Sequence, residues 1–123
     1  NNVEVNFLGQ LSNDFLPQIY SRYKYFALTS YGEGSPKALL EAMSVGLVCL
    51  TTPIEGTLEI ISNKENGIVC DGFNAIDINK GIKVMESIDY SEVSKNARNF
   101  IINNHSYQNI LSNYLESINQ FIK

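Results

Sequence analysis

The chain has 123 residues, a hydrophobic fraction of 44% and a formal net charge of −4 from nine basic and thirteen acidic residues. That size is one domain with room for one core, and its charged fraction is low at 18%, with 15 Asn and 14 Ile filling much of the gap. An acidic, lightly charged chain lacks the clustered Lys and Arg that a DNA- or RNA-binding module needs, and no apolar run approaches the ~20 residues of a membrane span.

The first apolar run, Val3-Glu4-Val5-Asn6-Phe7-Leu8, alternates and is closed by Gly9, so it predicts a strand. Ser12 or Asn13 can cap the next segment, where Phe15, Leu16, Ile19 and Tyr20 recur at helical spacing and Pro17 falls in the first turn. Tyr25-Phe26-Ala27-Leu28-Thr29-Ser30 reads as a second strand, covered on both faces as in a parallel sheet. A loop follows, Tyr31-Gly32-Glu33-Gly34. Ser35 as cap and Pro36 at the first helical position then start a helix that ends at Gly46. Leu47 to Thr51 is the third strand. Pro53 to Gly56 turns into a short helix, Thr57 to Ile61, and Asn66-Gly67 leads into a fourth strand, Ile68 to Cys70. Helices are expected near 74–87, 91–103 and 106–121, the last with an apolar stripe but few positive charges, as in a packing helix.

The order is strand–helix four times over, then extra helices. It predicts the α/β class, an open parallel sheet of about four strands with crossover helices and a helical C-terminal tail. The chain opens Asn-Asn-Val-Glu, with neither an initiator Met nor a basic-then-apolar leader, and is expected to be a piece of something longer. Cys49 and Cys70 read as buried free thiols on strands, which suits a reducing cytoplasm.

In such sheets ligands bind outside the carboxyl ends of the strands, and Thr29 to Glu41 sits there. Exposed N–H groups and the helix dipole at Ser35-Pro36-Lys37-Ala38 suit a phosphate or pyrophosphate. Pro36 offers no N–H, so Lys37, Ala38 and Ser35 would be the donors. Lys37 is a cation at the end of a helix that disfavours cations; it is either the partner of a bound anion or a solvent-facing lysine. Glu41, among Ala38, Leu39, Leu40, Ala42 and Met43, either reaches a ligand hydroxyl or occupies the thin solvent stripe of its helix. Glu33, between Gly32 and Gly34, could accept hydrogen bonds from sugar hydroxyls or stabilise positive charge at a reacting carbon; it also reads as an ordinary loop acid. There is no P-loop, no G-x-G-x-x-G after the first strand, and no Asp-X-Asp or His/Cys cluster that would suggest a catalytic metal. His105, the only histidine, reads as structural or surface.

Residues 33–41, Glu-Gly-Ser-Pro-Lys-Ala-Leu-Leu-Glu, followed by Ala42-Met43-Ser44-Val45-Gly46, closely resemble the Glu, seven residues, Glu signature of the group 1 (family 4) glycosyltransferases. Four further segments are similar in order: Val5 to Gly9, Leu47 to Thr51, Gly56-Thr57-Leu58-Glu59-Ile60-Ile61, and Asn66-Gly67-Ile68-Val69. Ala97-Arg98 and His105-Ser106-Tyr107 resemble late helical markers, and the likeness covers nearly the whole chain.

The resemblance implies a retaining, metal-independent transferase of the GT-B fold, built from two Rossmann-like domains, the C-terminal one binding a nucleotide-diphospho-sugar donor. Residues 1–123 would be the C-terminal part of that donor domain. Glu33 would be the catalytic glutamate on donor sugar hydroxyls, Glu41 would bind the ribose, and Gly34, Ser35, Pro36, Lys37 and Ala38 would line the diphosphate and nearby sugar. Gly56 and Glu59 are second-rank candidates, and Glu59 could simply favour the N-terminus of its helix. No cofactor or metal is expected. The family's first two strands, with an Arg and a Lys for the diphosphate, and its acceptor domain do not occur here. The chain is therefore expected either to pair Val3–Leu8 directly with Tyr25–Ser30 or to leave an aggregation-prone edge, and to transfer no sugar alone. The implied acceptor is a glycan or a lipid-linked sugar, in surface polysaccharide synthesis. The implied setting is cytoplasmic, with peripheral contact at the inner face of the membrane. The competing readings are a non-catalytic nucleotide-sugar-binding or assembly module and another GT-B enzyme such as a nucleotide-sugar epimerase.

Overall fold

The computed structural model describes residues 3–32, 34, 36–106, 115–116 and 119–120. Among them one parallel sheet is formed by β1 (Tyr25–Leu28), β2 (Val48–Thr51) and β3 (Ile68–Val69), in that spatial order. Tyr25 lies opposite Val48, Leu28 opposite Thr51, and Leu50 opposite Ile68. Parallel strands need crossover connections. Helix α2 (Lys37–Val45) lies in the first, and the short α3 (Glu55–Leu58) in the second. A 3₁₀ turn and α1 (Leu16–Tyr20) precede β1; α4 (Ala75–Ser87) and α5 (Tyr90–Asn104) follow β3. The α/β class read from the element order holds.

Strand β2 is central, and all four of its residues are buried. Alternation of side chains divides the core in two. Cys49 packs with Leu39, Ala42 and Met43 of α2, Ile60, Ile61 and Ala97. Val48 and Leu50 pack with Ile68, Cys70, Met85 of α4 and Val93. Full burial of a side chain such as Leu50 contributes about 1.5–3 kcal/mol. Helix α5 serves both halves through Val93 and Ala97.

Two glycines permit this packing. Gly46 ends α2 at φ 91°, its N–H bonded to the Ala42 and Met43 carbonyls, and the Ser94 hydroxyl of α5 donates to its carbonyl. Gly81 lets α4 lie on the sheet: a Cβ there would stand 2.7 Å from Leu50 Cδ1 and 3.0 Å from Cys70 Sγ.

Several boundaries differ from the sequence reading. Val3–Leu8 is not a strand; it is exposed coil, because alternation gives a strand only where a neighbour supplies hydrogen bonds. It does not pair with β1, so the outer edge of β1 is open among the described residues. Strand β1 is not covered on both faces: Tyr25 and Ala27 are exposed, and Tyr25 meets Tyr90 edge-on. Pro36 is not the first helical residue. It sits at the cap of α2 with ψ 79°, and its carbonyl accepts from Leu39 and Leu40 N–H. Helix α3 begins at Glu55 rather than Thr57, because the Ile54 carbonyl already accepts from Thr57 and Leu58 N–H. It ends at Leu58, beyond which Asn66 takes over the backbone: its amide donates to the Ile60 carbonyl and accepts from Ser62 N–H. Cys70 lies one residue past β3, though its N–H still bonds to the Thr51 carbonyl.

Helices α4 and α5 fall where expected, capped by Asn74 accepting from Asp77 N–H and Asp89 accepting from Glu92 N–H. His105 closes α5, its ring tilted on Phe100. The helix expected over 106–121 lies mostly outside the described residues. No helix among the described residues is long and apolar enough to cross a membrane.

Candidate functional site at the carboxyl end of the sheet

All three strands point their carboxyl ends the same way, so the segments that leave them gather on one rim. These are the loop after β1, the turn from β2 into α3, and the corner from β3 into α4. Thr52 ties the first two together: its hydroxyl donates to the Ser30 carbonyl at 2.5 Å and its N–H to the Leu28 carbonyl at 3.2 Å. The Thr57 hydroxyl stands 2.8 Å from the Thr52 carbonyl and pins the start of α3 below it. Tyr31, after β1, stacks on Phe73, after β3, with ring centroids 5.5 Å apart.

Helix α2 opens onto this rim. Its first N–H groups, on Lys37 and Ala38, precede any intrahelical partner, so they give this end of the helix its positive character. Lys37 is exposed, Ala38 half-buried, Pro36 buried and Gly34 exposed. Glu33 and Ser35 lie outside the described residues.

Glu41 comes one turn later and is half-buried, with its side chain 34% accessible. Its Oε1 is 3.8 Å from Lys37 Nζ. An i,i+4 pair of this kind, largely open to water, contributes well under 1 kcal/mol. The pairing supplies the lysine with an anionic partner within its own helix. Glu41 also borders a cavity of about 140 Å³ between α1 and α2, lined by Asn13, Leu16, Pro17, Tyr20, Ser44 and Val45. Burial, then the Glu41 carboxylate, then Cys49, push the Tyr20 phenol above its ordinary range. Glu41 is therefore neither sunk in the core nor on a bare solvent stripe.

The second-rank candidates do not sit as expected. Gly56 is inside α3 and buried, not on a loop. Glu59 is exposed at the C-cap of α3; the acid in the first turn is Glu55, because the helix begins earlier. A carboxylate at a helix C-terminus is at the less favourable end.

In the sequence Asn13 reads as a helix cap and Tyr20 as an apolar position, not as neighbours of Glu41, and nothing there pairs Tyr31 with Phe73. Tyr31 beside Gly-Glu-Gly and Phe73 after Gly72 are aromatic residues at turn signals, which was the only local hint of them.

A family model described as Glycosyl transferases group 1 matches residues 1–105. The UDP-Gal:alpha-D-GlcNAc-diphosphoundecaprenol alpha-1,3-galactosyltransferase of Escherichia coli is 37% identical over 90 residues, 72% of this chain and 23% of that protein. The N,N'-diacetylbacillosaminyl-diphospho-undecaprenol alpha-1,3-N-acetylgalactosaminyltransferase of Campylobacter jejuni is 32% identical over 85 residues, 69% of this chain and 22% of that protein. The chain thus spans less than a quarter of these relatives. Among solved structures, sucrose-phosphate synthase from Thermosynechococcus elongatus has a TM-score of 0.83 at 20% identity, covering 95% of this chain and 30% of the other. An Anabaena protein solved in complex with UDP-glucose has a TM-score of 0.70 at 20% identity, covering 85% of this chain and 30% of the other.

Proposed function

The chain belongs to the group 1 glycosyl transferases, and from that premise we propose that residues 1–123 are the C-terminal part of the nucleotide-sugar-binding domain of a GT-B enzyme. The observation that carries the reading is the placement of Glu41. It stands one turn inside a helix whose positive end opens at the carboxyl rim, beside a cavity of about 140 Å³.

In this reading the diphosphate of the donor lies against the first turn of α2. The N–H groups of Lys37 and Ala38, with Ser35 and the Lys37 ammonium, meet its charge, helped by an Arg and a Lys from strands supplied by the rest of the protein. Glu41 accepts hydrogen bonds from the ribose hydroxyls, a role a carboxylate fills with two acceptor oxygens. To do so it exchanges the weak, solvent-screened contact with Lys37 for the ligand. Glu33 addresses the sugar hydroxyls. As the glycosidic bond breaks, negative charge grows on the departing diphosphate, where fixed N–H dipoles stabilise it most. Transfer retains the anomeric configuration and draws on no metal.

The acceptor is a lipid-linked sugar held by a separate domain, in surface polysaccharide synthesis at the cytoplasmic face of a membrane. The undecaprenol-linked acceptors named for the two bacterial relatives support this. Titration calorimetry of the full-length protein against UDP, UDP-galactose and a panel of other nucleotide sugars tests the reading. Micromolar binding of one sugar nucleotide, weakened in Glu41→Gln, is expected. Absence of binding across the panel would sink it.

A further inference from the structure

The end of the sheet opposite the carboxyl rim carries a second depression. Helix α5 runs across the amino ends of all three strands: Tyr90 meets Tyr25 at the start of β1, Ser94 bonds to Gly46 ahead of β2, and Asn96 bonds to Glu65 ahead of β3. Between α5 and the segment Ser62 to Asn66 lies an open groove of about 570 Å³. Five of its nine lining residues are asparagines, Asn66, Asn96, Asn99, Asn103 and Asn104, against 15 of 123 in the whole chain. Both walls are fixed. The Asn96 amide donates to the Glu65 carbonyl at 2.9 Å and joins helix to loop. The buried Asn66 amide holds the loop itself, donating to the Ile60 carbonyl and accepting from Ser62 N–H. The Asn104 amide donates to the Phe100 carbonyl on the helix side.

Glu65 and Glu92 are the only charged groups lining the groove; Lys95 and Arg98 of the same helix do not line it. Two carboxylates without a cation repel phosphates and anionic polymers. Phe100, half-buried, is the only apolar side chain in the lining, too little for a lipid or an apolar peptide. What remains suits hydroxyls. An amide offers an acceptor oxygen and two N–H donors, a carboxylate two acceptor oxygens, and a hydroxyl both donates and accepts. An aromatic ring takes the apolar C–H face of a pyranose. Asparagine is also among the poorer helix formers. Asn99, Asn103 and Asn104 nevertheless crowd the last turns of α5, where alanine, lysine or glutamate would better serve a merely solvated face.

We propose that this groove binds a neutral oligosaccharide, at a site separate from that of the donor. The chemistry of the lining and the membership of a glycosyl transferase family carry it, independently of where the donor sits. Binding there would keep a glycan close to the enzyme while the carboxyl rim stays free.

NMR titration of the full-length protein with tetrasaccharides of glucose, galactose and N-acetylglucosamine tests the proposal. One of the three is expected to bind, with an affinity that saturating UDP leaves unchanged. The double variant Asn99→Ala, Asn103→Ala is expected to weaken binding about 5- to 30-fold through the loss of two hydrogen-bonding side chains. Both positions are exposed on a helix, where alanine is the better helix former, so the fold is expected to hold. Lys95→Ala, on the same helix but outside the groove, is expected to bind as wild type does. Failure of all three tetrasaccharides to bind, displacement by UDP, wild-type affinity in the double variant, or equal weakening in Lys95→Ala overturns the proposal. UDP is titrated on its own as well, so a protein that binds a tetrasaccharide and no nucleotide loses the donor reading alone and keeps this one.

Discussion

The Lys37 ammonium stands 3.8 Å from the Glu41 carboxylate, one helical turn apart at the mouth of α2. The lysine comes first, which is the weaker order for such a pair on a helix. With the lysine side chain 77% accessible the contact contributes little to stability. Lys37→Ala and Glu41→Gln are both expected to change unfolding free energy by less than about 1 kcal/mol in urea melts. In calorimetry Glu41→Gln is expected to lower donor affinity about 10- to 100-fold, the worth of hydrogen bonds to a charged acceptor. Unchanged affinity would remove Glu41 from the ribose.

Gly46 turns the chain at φ 91° under Ser94. Alanine there adopts a left-handed backbone and brings its Cβ to 3.1 Å from Ser94 Oγ. Gly46→Ala is expected to cost about 1–2 kcal/mol. Gly46→Asn, which tolerates the left-handed region better, should cost less. Equal costs for the two would assign the effect to crowding against Ser94 rather than to the backbone.

Gly81→Ala sets two effects against each other. Helix propensity favours alanine by about 1 kcal/mol. The new Cβ would lie 2.7 Å from Cδ1 of Leu50, a fully buried side chain. Overpacking of this kind costs about 1–3 kcal/mol, so net destabilisation is expected. A variant more stable than wild type in a urea melt would show that α4 can lift off the sheet.

Burial pushes the Cys49 thiol up to about 12, from an ordinary value of 9.0. A folded-state value above the unfolded one means stability is fully present below about pH 9 and is lost as pH rises toward 12. Cys49→Ala is expected to be less stable at pH 8 because of the cavity it leaves. The gap to wild type should narrow with rising pH, since only wild type carries the thiol. Native protein should also resist thiol reagents at Cys49 at pH 8. Rapid labelling of Cys49 in the folded protein would contradict its burial.

The open edge of β1 bears on the isolated chain. An unpaired strand edge is a template for a second copy, and Val3, Val5, Phe7 and Leu8 lie exposed in the same chain. The isolated 123-residue chain is expected to self-associate with rising concentration in light scattering and to transfer no sugar. Ala27→Lys, a charge placed on the exposed face of β1, should reduce the association. Transfer by the isolated chain would overturn the view that the acceptor side lies elsewhere.

The parts of the fold that were legible in sequence are those set by local chemistry. Helix α2 is legible from the Ser35-Pro36 start signal and the Gly46 stop, although Pro36 proves to be its cap, and β2 from its apolar run. Val3–Leu8 was misread because alternation records a propensity, whereas a strand needs a neighbour that the residues themselves do not specify. Helix α3 was placed two residues late because Gly56 looks like a turn residue, and only the Ile54 carbonyl reveals that the helix has already begun. Glu41 was legible as a carboxylate in an apolar helix and as the end of a spaced motif. Its neighbours across the cavity come from elsewhere in the chain, Asn13 from the 3₁₀ turn and Tyr20 from α1. The Tyr31–Phe73 stack joins residues 42 positions apart, and no local pattern encodes it.

The bond from Ser94 to the Gly46 carbonyl spans 48 positions of chain, and Ala97 packs with Leu39, Ala42 and Met43. The helix that bears Glu41 is thus held from behind by a helix made much later. Domains generally settle as units while the chain emerges during synthesis. On the ribosome, α2 can pack first against α1 and β2, but its contacts with Ser94 and Ala97 wait until residues 94–97 have left the exit tunnel. The helix that bears Glu41 is therefore among the last features to gain its full set of contacts, and a chain stalled before Ser94 carries the whole glutamate motif without that support.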